Sequence, residues 1–404
     1  MHASVSPNPR RNQTRLLFID KRIILSVAAI LITVFMIEFG ARAFLFAKTK
    51  YLDPNLPVCR DAYATQLTLS CHMPTWSQEF NEAVAWDPYL GFRNSANLKG
   101  ERLNTNSLGY RGEEVTQPKP SDMTRIVVLG GSTAMGYGVY DDETIPAYLE
   151  KILKDELPDQ QIEVINAAMA GFNSSQELVQ LSLDVLDLEP DMVIIIDGAN
   201  DLLFGLATDW QPHRTPAMRQ QAMEYTAIRK GEAKEITRQV FRAILHQSTA
   251  LALVQQFRLP RANKENFSNF TLHPETIDVY MMNHLRMASL AKDSGIKIVF
   301  VLQPLLGVGD KALSDTESTI LKEAPDFSLK MNQHLSEITV ALADSQKCTM
   351  NHTLCLDFVN VFATHSQTLF IDGVHFNPLG NQIFAQQLAK KLLATDWAFN
   401  KGHP

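Results

Sequence analysis

A chain of 404 residues with 45% hydrophobic residues can form one large domain or two modest ones around a sizeable core. Its 37 basic residues against 44 acidic ones give a net charge of −7, with no basic tract beyond the N-terminus, which argues against nucleic-acid binding. No cluster of histidines or cysteines has the spacing of metal ligands, so neither a metal nor another cofactor is predicted.

The first 46 residues have the pattern of a membrane anchor. Residues 23–37 carry no charge and apolar residues resume after Glu38, so a helix over 23–46 is long enough to cross a bilayer. Glu38 and Arg42 stand where a cleavage site needs small neutral residues, which favours a retained anchor over a cleaved signal peptide; a buried amphipathic core helix is a third reading. Basic residues before the run favour a cytoplasmic tail at 1–22 and an exported body: Arg10, Arg11, Arg15, Lys21 and Arg22. The predicted location is therefore the cytoplasmic (inner) membrane, with the rest of the chain on its periplasmic or extracellular side.

The four cysteines fit an oxidising compartment. They fall into two local groups, Cys59 with Cys71 and Cys348 with Cys355, and pairing within each group would close two short loops. Four cysteines allow three connectivities, and free buried thiols are the alternative to disulfides. We expect the two local disulfides.

A turn-rich aromatic segment over 47–120 separates the predicted anchor from the next domain. We expect short strands there, packed beside a sheet. Asn106 and Arg111 either border a functional site or stabilise the segment, and the second role is preferred. Residues 117–120 are interpreted as the junction into the domain.

The first predicted strand of that domain leads to a serine. Residues 125–129 form a short β-branched apolar run, which suits a buried parallel strand, and Gly130 and Gly131 then permit a sharp turn. Because open α/β sheets bind ligands beyond the carboxyl ends of their strands, the hydroxyl of Ser132 would be exposed at that edge. The alternative is that Ser132 only caps the next turn.

Two further loops follow predicted strands and offer hydrogen-bond donors. Asn200 follows residues 192–196, the clearest buried strand of the chain, and Gly171 follows the strand-like run at 162–165. A side-chain amide and a close backbone N–H at these places suit the negative charge that develops on a carbonyl oxygen in acyl transfer. Asp201 is interpreted as a structural acid near a helix start.

Asp372 and His375 lie three positions apart near the carboxyl end. A serine hydroxyl is a poor nucleophile until a base removes its proton, and imidazole is the usual base near neutral pH. Asp372 can accept the other ring N–H of His375 and so fix its tautomer. Alone, this pair would be interpreted as a hydrogen-bonded pair that stabilises a loop. Together with Ser132, Gly171 and Asn200, it predicts a serine hydrolase.

These four blocks resemble the SGNH hydrolase superfamily, also called GDSL-like esterases and acylhydrolases, from about residue 125 to residue 393. The first block of that family is usually Gly-Asp-Ser; here it reads Gly130-Gly131-Ser132, a departure that leaves the nucleophile in place. The resemblance implies a three-layer α/β/α sandwich with a five-stranded parallel sheet in flavodoxin-like order.

The resemblance also implies a role for each site residue. Ser132 would be the nucleophile, His375 the base and Asp372 the group that orients the base. The N–H groups of Ser132 and Gly171 and the side chain of Asn200 would form the oxyanion hole.

The hydrolase domain is predicted over residues 121–400, with an insertion at about 204–274. The insertion is mostly polar, with 224–257 as its longest helix candidate and 263–269 as a loop, and its place above the crevice predicts a lid or a substrate platform. Its aromatic residues suit either stacking on a sugar or a small core cluster: Phe204, Trp210, Tyr225 and Phe257. Other histidines are expected at the surface or in loops: His284, His352 and His365.

The predicted function is a membrane-anchored, extracytoplasmic serine esterase. It would remove a short O-acyl group, such as acetyl, from an envelope or exported glycan through an acyl-enzyme. An O-acyltransferase or a lipid-ester acylhydrolase would use the same residues, and a non-catalytic glycan-binding scaffold is the alternative from another class. The acyl group, the oligomeric state and the pathway do not follow from the sequence.

Overall fold

The computed structural model describes residues 21–47, 79–80, 83–206, 210–230, 237, 272–323, 333–339, 348 and 352–399. It forms two compact units: Met1–Leu56 with Ala233–Ala262, and Pro57–Glu232 with Asn263–Pro404. Several predictions concern residues outside the described ranges: the tail before residue 21, the Cys59–Cys71 disulfide, Phe257, the loop at 263–269 and most of the helix candidate beyond residue 229.

The first unit contains helix α1, Lys21–Ala47. The sequence supports a helix because no proline interrupts it and Gly40 is its only glycine. This helix covers the predicted run at 23–46. Among the helices of the described ranges, none combines the length and the apolarity needed to cross a membrane.

A five-stranded parallel sheet forms the centre of the second unit, preceded by an antiparallel hairpin of β1, Val84–Asp87, and β2, Gly91–Asn94. The sheet strands are β3, Met123–Gly130; β4, Gln161–Asn166; β5, Met192–Asp197; β6, Lys297–Leu302; and β7, Thr353–Asp357. Their spatial order is β4-β3-β5-β6-β7, which is the flavodoxin-like order. The predicted sheet and its order are therefore confirmed.

The helices of the second unit connect and cover these strands. They are α2, Ser132–Met135; α3, Ile145–Glu156; α4, Ser174–Gln180; α5, Ala199–Gly205; α6, Pro216–Arg229; α7, Glu275–Asp293; α8, Asp315–Glu323; and α9, Pro378–Leu393. Thr144 accepts a hydrogen bond from the Ala147 N–H at the start of α3, and Asn377 accepts one from the Gly380 N–H at the start of α9. Both helices carry a proline in the first turn, where its missing N–H costs nothing.

Alternation along the central strands divides the core into two layers. Ile194 and Ile196 face one side of the sheet, where they join Leu149 of α3 and Phe384 of α9 in one buried cluster. The intervening Val193 and Ile195 belong instead to a cluster that includes Met287 of α7. Because successive strand side chains point to opposite faces, a continuous apolar run is buried on both sides. Helices on both faces give the expected α/β/α sandwich.

Cys348 and Cys355 form a disulfide, with Cys355 on β7. The predicted pairing is confirmed for this group.

Candidate active site

Two distant segments bring Ser132 and His375 into contact at the carboxyl edge of the sheet. Ser132 begins α2 directly after β3, and His375 lies in the loop that precedes α9. The His375 Nε2 atom lies 2.6 Å from the Ser132 Oγ atom, and His375 Nδ1 lies 2.6 Å from Asp372 Oδ2. The structure thus places the three side chains in the order acid, imidazole, hydroxyl.

The hydrogen bonds fix which ring nitrogen of His375 carries the proton. An ionised Asp372 can only accept, so His375 Nδ1–H donates to it, and Nε2 is left to accept the Ser132 O–H. Desolvation alone would raise the pKa of Asp372, but the His375 imidazole and the backbone N–H groups of Val374 and His375 outweigh it and lower that pKa. The carboxylate is therefore ionised and oriented towards the ring.

Contacts from two sides hold the His375 loop in place. Thr133, next to the nucleophile, donates from Oγ1 to the Val374 carbonyl at 3.1 Å, and the Leu306 N–H donates to the Gly373 carbonyl at 3.0 Å. The Tyr137 ring stacks on the His375 ring with centroids 4.6 Å apart. Below the loop, four buried phenylalanines pack mostly edge to face and anchor it in the core: Phe362, Phe370, Phe376 and Phe384.

The three N–H donors that the resemblance assigns to an oxyanion hole have the following surroundings in the structure. Asn200 donates one amide hydrogen to the Phe172 carbonyl at 2.7 Å, which orients its side chain and leaves a second hydrogen available. The backbone N–H groups of Ser132 and Gly171 have no acceptor within the described part of the chain. Gly171 has φ +81°, a conformation that favours glycine, and its loop is supported by the Phe92 ring from the hairpin.

Gly131, which departs from the family motif, lies against the Asn200 side chain. A Cβ atom on Gly131 would lie 2.6 Å from Asn200 Nδ2 and 3.3 Å from the Phe172 carbonyl oxygen. A side chain at this position would require the Asn200 amide to shift from its observed place.

Asp201 connects the Gly171 loop to α5. It is buried, and its two carboxyl oxygens accept from the Ser174 hydroxyl at 2.6 Å and the Ser174 N–H at 3.1 Å. Burial and the neighbouring Asp197 carboxylate raise the pKa of Asp201 to about 7. Because Asn200 precedes Asp201 and Phe172 lies two residues before Ser174, these bonds hold both ends of the Asn200–Phe172 contact.

The expectation of a surface or loop position for His284 is wrong. His284 is fully buried on α7, and its Nε2 atom lies 2.7 Å from Asp197 Oδ2 at the end of β5. Burial would raise the pKa of Asp197, but the pairing with His284 and a hydrogen bond from the Tyr280 hydroxyl lower it. The sequence carried one usable signal: His284 shares the buried stripe of α7, at a spacing of four from Tyr280 and three from Met287.

Glu177 completes this buried group and was not singled out from the sequence. Each of Glu177, Asp197 and His284 has a potential ligand atom within 4.8 Å of those of the other two, and no donor within the described ranges reaches the Glu177 oxygens. Burial and the carboxylates of Asp197 and Asp201 raise the pKa of Glu177 well above its usual range. Two adjacent buried carboxyls cannot both ionise, so Glu177 keeps its proton and shares it with Asp197.

Arg111 and Asn106 stabilise the pre-domain segment. The buried Arg111 guanidinium donates to the carbonyls of Met135 and Gly136 at the end of α2 and pairs with Asp141 at 2.7 Å. Asn106 binds backbone groups of its own loop. Arg111 thus stabilises the end of α2, the short helix that begins with Ser132.

The sequence profile of the GDSL-like Lipase/Acylhydrolase family matches residues 128–383. None of the curated proteins matches the chain. Among solved structures, the chain is similar to an acetylxylan esterase from Geobacillus stearothermophilus, with 15% identity, a TM-score of 0.38, and coverage of 69% of this chain and 97% of that one.

Two other solved structures are similar over a comparable share of the chain. The acetyl xylan esterase AlAXEase has 16% identity and a TM-score of 0.38, with coverage of 66% of this chain and 98% of that one. LAE5, an α/β hydrolase from the metagenome of Lake Arreo in Spain, has 14% identity and a TM-score of 0.34, with coverage of 67% and 97%. The family profile spans both the nucleophile turn and the His375 loop, and the chain belongs to the GDSL-like lipase/acylhydrolase family of ester-hydrolysing enzymes.

Proposed function

We propose that this enzyme removes short O-acyl groups, such as acetyl, from a glycan outside the cytoplasmic membrane, with Ser132 as nucleophile. The observation that carries the proposal is the 2.6 Å contact between His375 Nε2 and Ser132 Oγ, with Asp372 bonded to the opposite ring nitrogen. A hydroxyl aligned on a neutral imidazole is the arrangement that activates serine for attack on an ester carbonyl.

The proposed reaction has two halves. Ser132 Oγ attacks the ester carbonyl while His375 Nε2 takes its proton, and the imidazolium is stabilised by Asp372. The oxyanion is bound by the N–H groups of Ser132 and Gly171 and by the free amide hydrogen of Asn200. His375 then protonates the departing sugar oxygen, which leaves an acyl-enzyme. Water activated by the same imidazole attacks this ester, releases the acid and restores the Ser132 hydroxyl.

The proposed location rests on the sequence and on the disulfide. Basic residues precede the uncharged run at 23–37, a charge bias typical of a cytoplasmic N-terminus and an exported body. The Cys348–Cys355 disulfide supports an oxidising compartment. Carbonate extraction tests the anchor: the intact chain is expected in the carbonate-resistant fraction, and a chain lacking residues 1–47 in the supernatant. Recovery of the intact chain in the supernatant would contradict anchoring.

Labelling with a fluorophosphonate tests the nucleophile. The wild-type protein should be labelled covalently at Ser132, and Ser132→Ala should show no labelling while retaining its thermal unfolding midpoint. No labelling of folded wild-type protein would favour a glycan-binding scaffold without turnover.

Product analysis tests the substrate class. Release of acetate from acetylated xylan or acetylated peptidoglycan, absent with Ser132→Ala, is the expected result. If the acyl group moves instead to an added sugar acceptor, the enzyme is an acyltransferase. Release of fatty acid from phospholipid vesicles, without acetate release, would assign it to lipid esters.

A further inference from the structure

A cavity beside the Gly171 loop carries a positive charge and is built partly by the insertion. Its volume is about 190 Å³, and the lining includes Tyr89 from the hairpin turn, Ser175 from α4, His213 and Met218 from the insertion, and Arg286 from α7. The insertion is packed against the hairpin here, since a Cβ on Gly91 would lie 2.7 Å from Met218 Cγ.

The cavity is connected to the loop that carries Gly171. Ser175 follows Gly171 by four residues, which limits the separation of their Cα atoms to about 14 Å. Asn283 at the cavity wall donates to Ser175 Oγ at 2.8 Å and to Ser174 Oγ at 3.0 Å, and Ser174 in turn binds Asp201 beside Asn200. These hydrogen bonds connect the cavity wall to the loops that carry Gly171 and Asn200.

The charges around the cavity favour an anion. None of the described residues that line it is acidic, although the chain has a net charge of −7. Arg286 is exposed on α7 and makes no ion pair within the described ranges. Burial together with the charges of Arg286 and Arg214 lowers the pKa of His213, so this imidazole is neutral near pH 7.

The hydrogen bonds allow His213 to act as a donor. Ser175 Oγ accepts from Asn283 and lies 2.9 Å from His213 Nδ1, so its own proton is available to donate to that nitrogen. The remaining proton of the neutral ring is then on Nε2. His213 also has φ +61°, a conformation that a residue with a side chain adopts rarely and that is often kept at functional sites.

We propose that this cavity is a subsite for the carboxylate of a sugar acid next to the acylated sugar, bound by the Arg286 guanidinium and the His213 Nε2–H. This inference rests on the proposed function and assigns its substrate class as an acidic glycan. A planar carboxylate matches the fork of a single guanidinium, and Arg286 is the one guanidinium among the described residues that line the cavity. Tyr89, with 69% of its surface exposed, lies at the rim and offers an aromatic face to the sugar ring.

Calorimetry on the Ser132→Ala protein tests the subsite without turnover. The probes are trigalacturonic acid, triglucuronic acid, their methyl esters and galactose 6-phosphate. At least one acid should bind at least tenfold more tightly than its methyl ester, since a charge-assisted hydrogen bond is lost on esterification. Arg286→Gln in the same background should remove this preference, whereas Arg229→Gln, an exposed arginine of α6 outside the cavity, should keep it.

Several outcomes would overturn the subsite. The first is equal binding of the acids and their methyl esters, and the second is no binding of any probe. The third is a preference for the acid that survives Arg286→Gln in a protein with an unchanged unfolding midpoint. The fourth is tighter binding of galactose 6-phosphate than of both acids. Fluorophosphonate labelling of Ser132 in the wild-type protein is read separately. Labelling without carboxylate binding would reject the subsite and support the serine esterase. Carboxylate binding without labelling would support the subsite and reject the serine esterase.

Discussion

Asn200 donates one of its two amide hydrogens to the Phe172 carbonyl at 2.7 Å, so a backbone atom of the Gly171 loop sets the direction of the other hydrogen. The proposed oxyanion donors on two different strand ends are therefore mechanically linked. Preorganised donors are effective because they need not reorient as charge develops. The observed position of the amide leaves little room at residue 131, since a Cβ there would lie 2.6 Å from Asn200 Nδ2.

Gly131→Ala should therefore lower activity by displacing Asn200. We expect kcat on 4-nitrophenyl acetate to fall about 10²-fold, the scale on which the loss of one oxyanion donor acts. KM should change little, because the donor acts on the transition state more than on the ground state. Steady-state kinetics on the purified variant, with its unfolding midpoint measured alongside, give this result.

A double-mutant cycle with Asn200→Ala tests whether Gly131→Ala lowers kcat by displacing the Asn200 amide. If Gly131→Ala acts through the amide, the combined variant should be no slower than Asn200→Ala alone. Additive losses would instead mean that the added methyl group disturbs Ser132 or the backbone of α2 directly.

Asp372→Asn should reduce kcat by about 10³- to 10⁴-fold with little change in KM. An amide at this position can present an N–H to His375 Nδ1 and so stabilise the tautomer that cannot accept the Ser132 proton. The rate of fluorophosphonate labelling should fall in parallel, because it depends on the same proton transfer. Asp310→Asn, a change at an exposed carboxyl outside the His375 loop, is the matched control. A comparable decrease in kcat in that variant would mean that the loss in Asp372→Asn is not specific to the contact with His375.

The sequence was sufficient for the sheet and for the convergence of the site because both depend on local patterns. Residues 192–196 are apolar without interruption and mostly β-branched, as suits a strand buried on both faces, and the structure buries all of β5. Since parallel strands end at one edge, Ser132, Gly171 and Asn200 had to come close together. The proline and asparagine at the start of α9 likewise indicated where that helix begins.

Long-range contacts explain what the sequence did not reveal. Asp197 lies 87 positions from His284, and nothing near either residue indicates that they pair. Glu177 resembles an ordinary helical acid in the sequence, and only the structure shows the Asp197 carboxyl beside it and the Asn200 amide against Gly131. A buried polar residue on an apolar helix stripe, such as His284, is the one feature of this kind that periodicity can detect.

Removal of the Cys348–Cys355 disulfide should destabilise the protein without abolishing its activity. The cysteines are separated by seven positions, and closing a loop of this length stabilises the folded state by about 2.5 kcal/mol in the chain-entropy description. The variant with Cys348→Ser and Cys355→Ser should show this decrease in the free energy of urea unfolding. An unchanged free energy, or an equal decrease measured relative to wild-type protein kept reduced, would contradict the assignment.

The stability of the protein should fall as the pH rises from about 4 to 7, in part because of Asp201. Its pKa is 3.8 as an ordinary aspartate and about 7 in the folded protein, so the folded state binds the proton more tightly than the unfolded state. The contribution of this group is fully present below pH 4 and is lost as the pH rises through 7, with an upper limit of about 4 kcal/mol for a shift of this size. Urea unfolding of wild type and Asp201→Asn between pH 5 and 9 measures the difference.

Asp201→Asn has no proton to lose, so its stability should fall less steeply than that of wild type between pH 5 and 7. Above about pH 8 the two curves should run parallel, because Asp201 is then ionised in both states of the wild-type protein. Asp187→Asn, a change at an acid for which the contacts to Ser174 are absent, should follow the wild-type curve. Parallel curves for wild type and Asp201→Asn over the whole range would mean that Asp201 is already ionised at pH 5, and that the Ser174 contacts, rather than a retained proton, accommodate its burial.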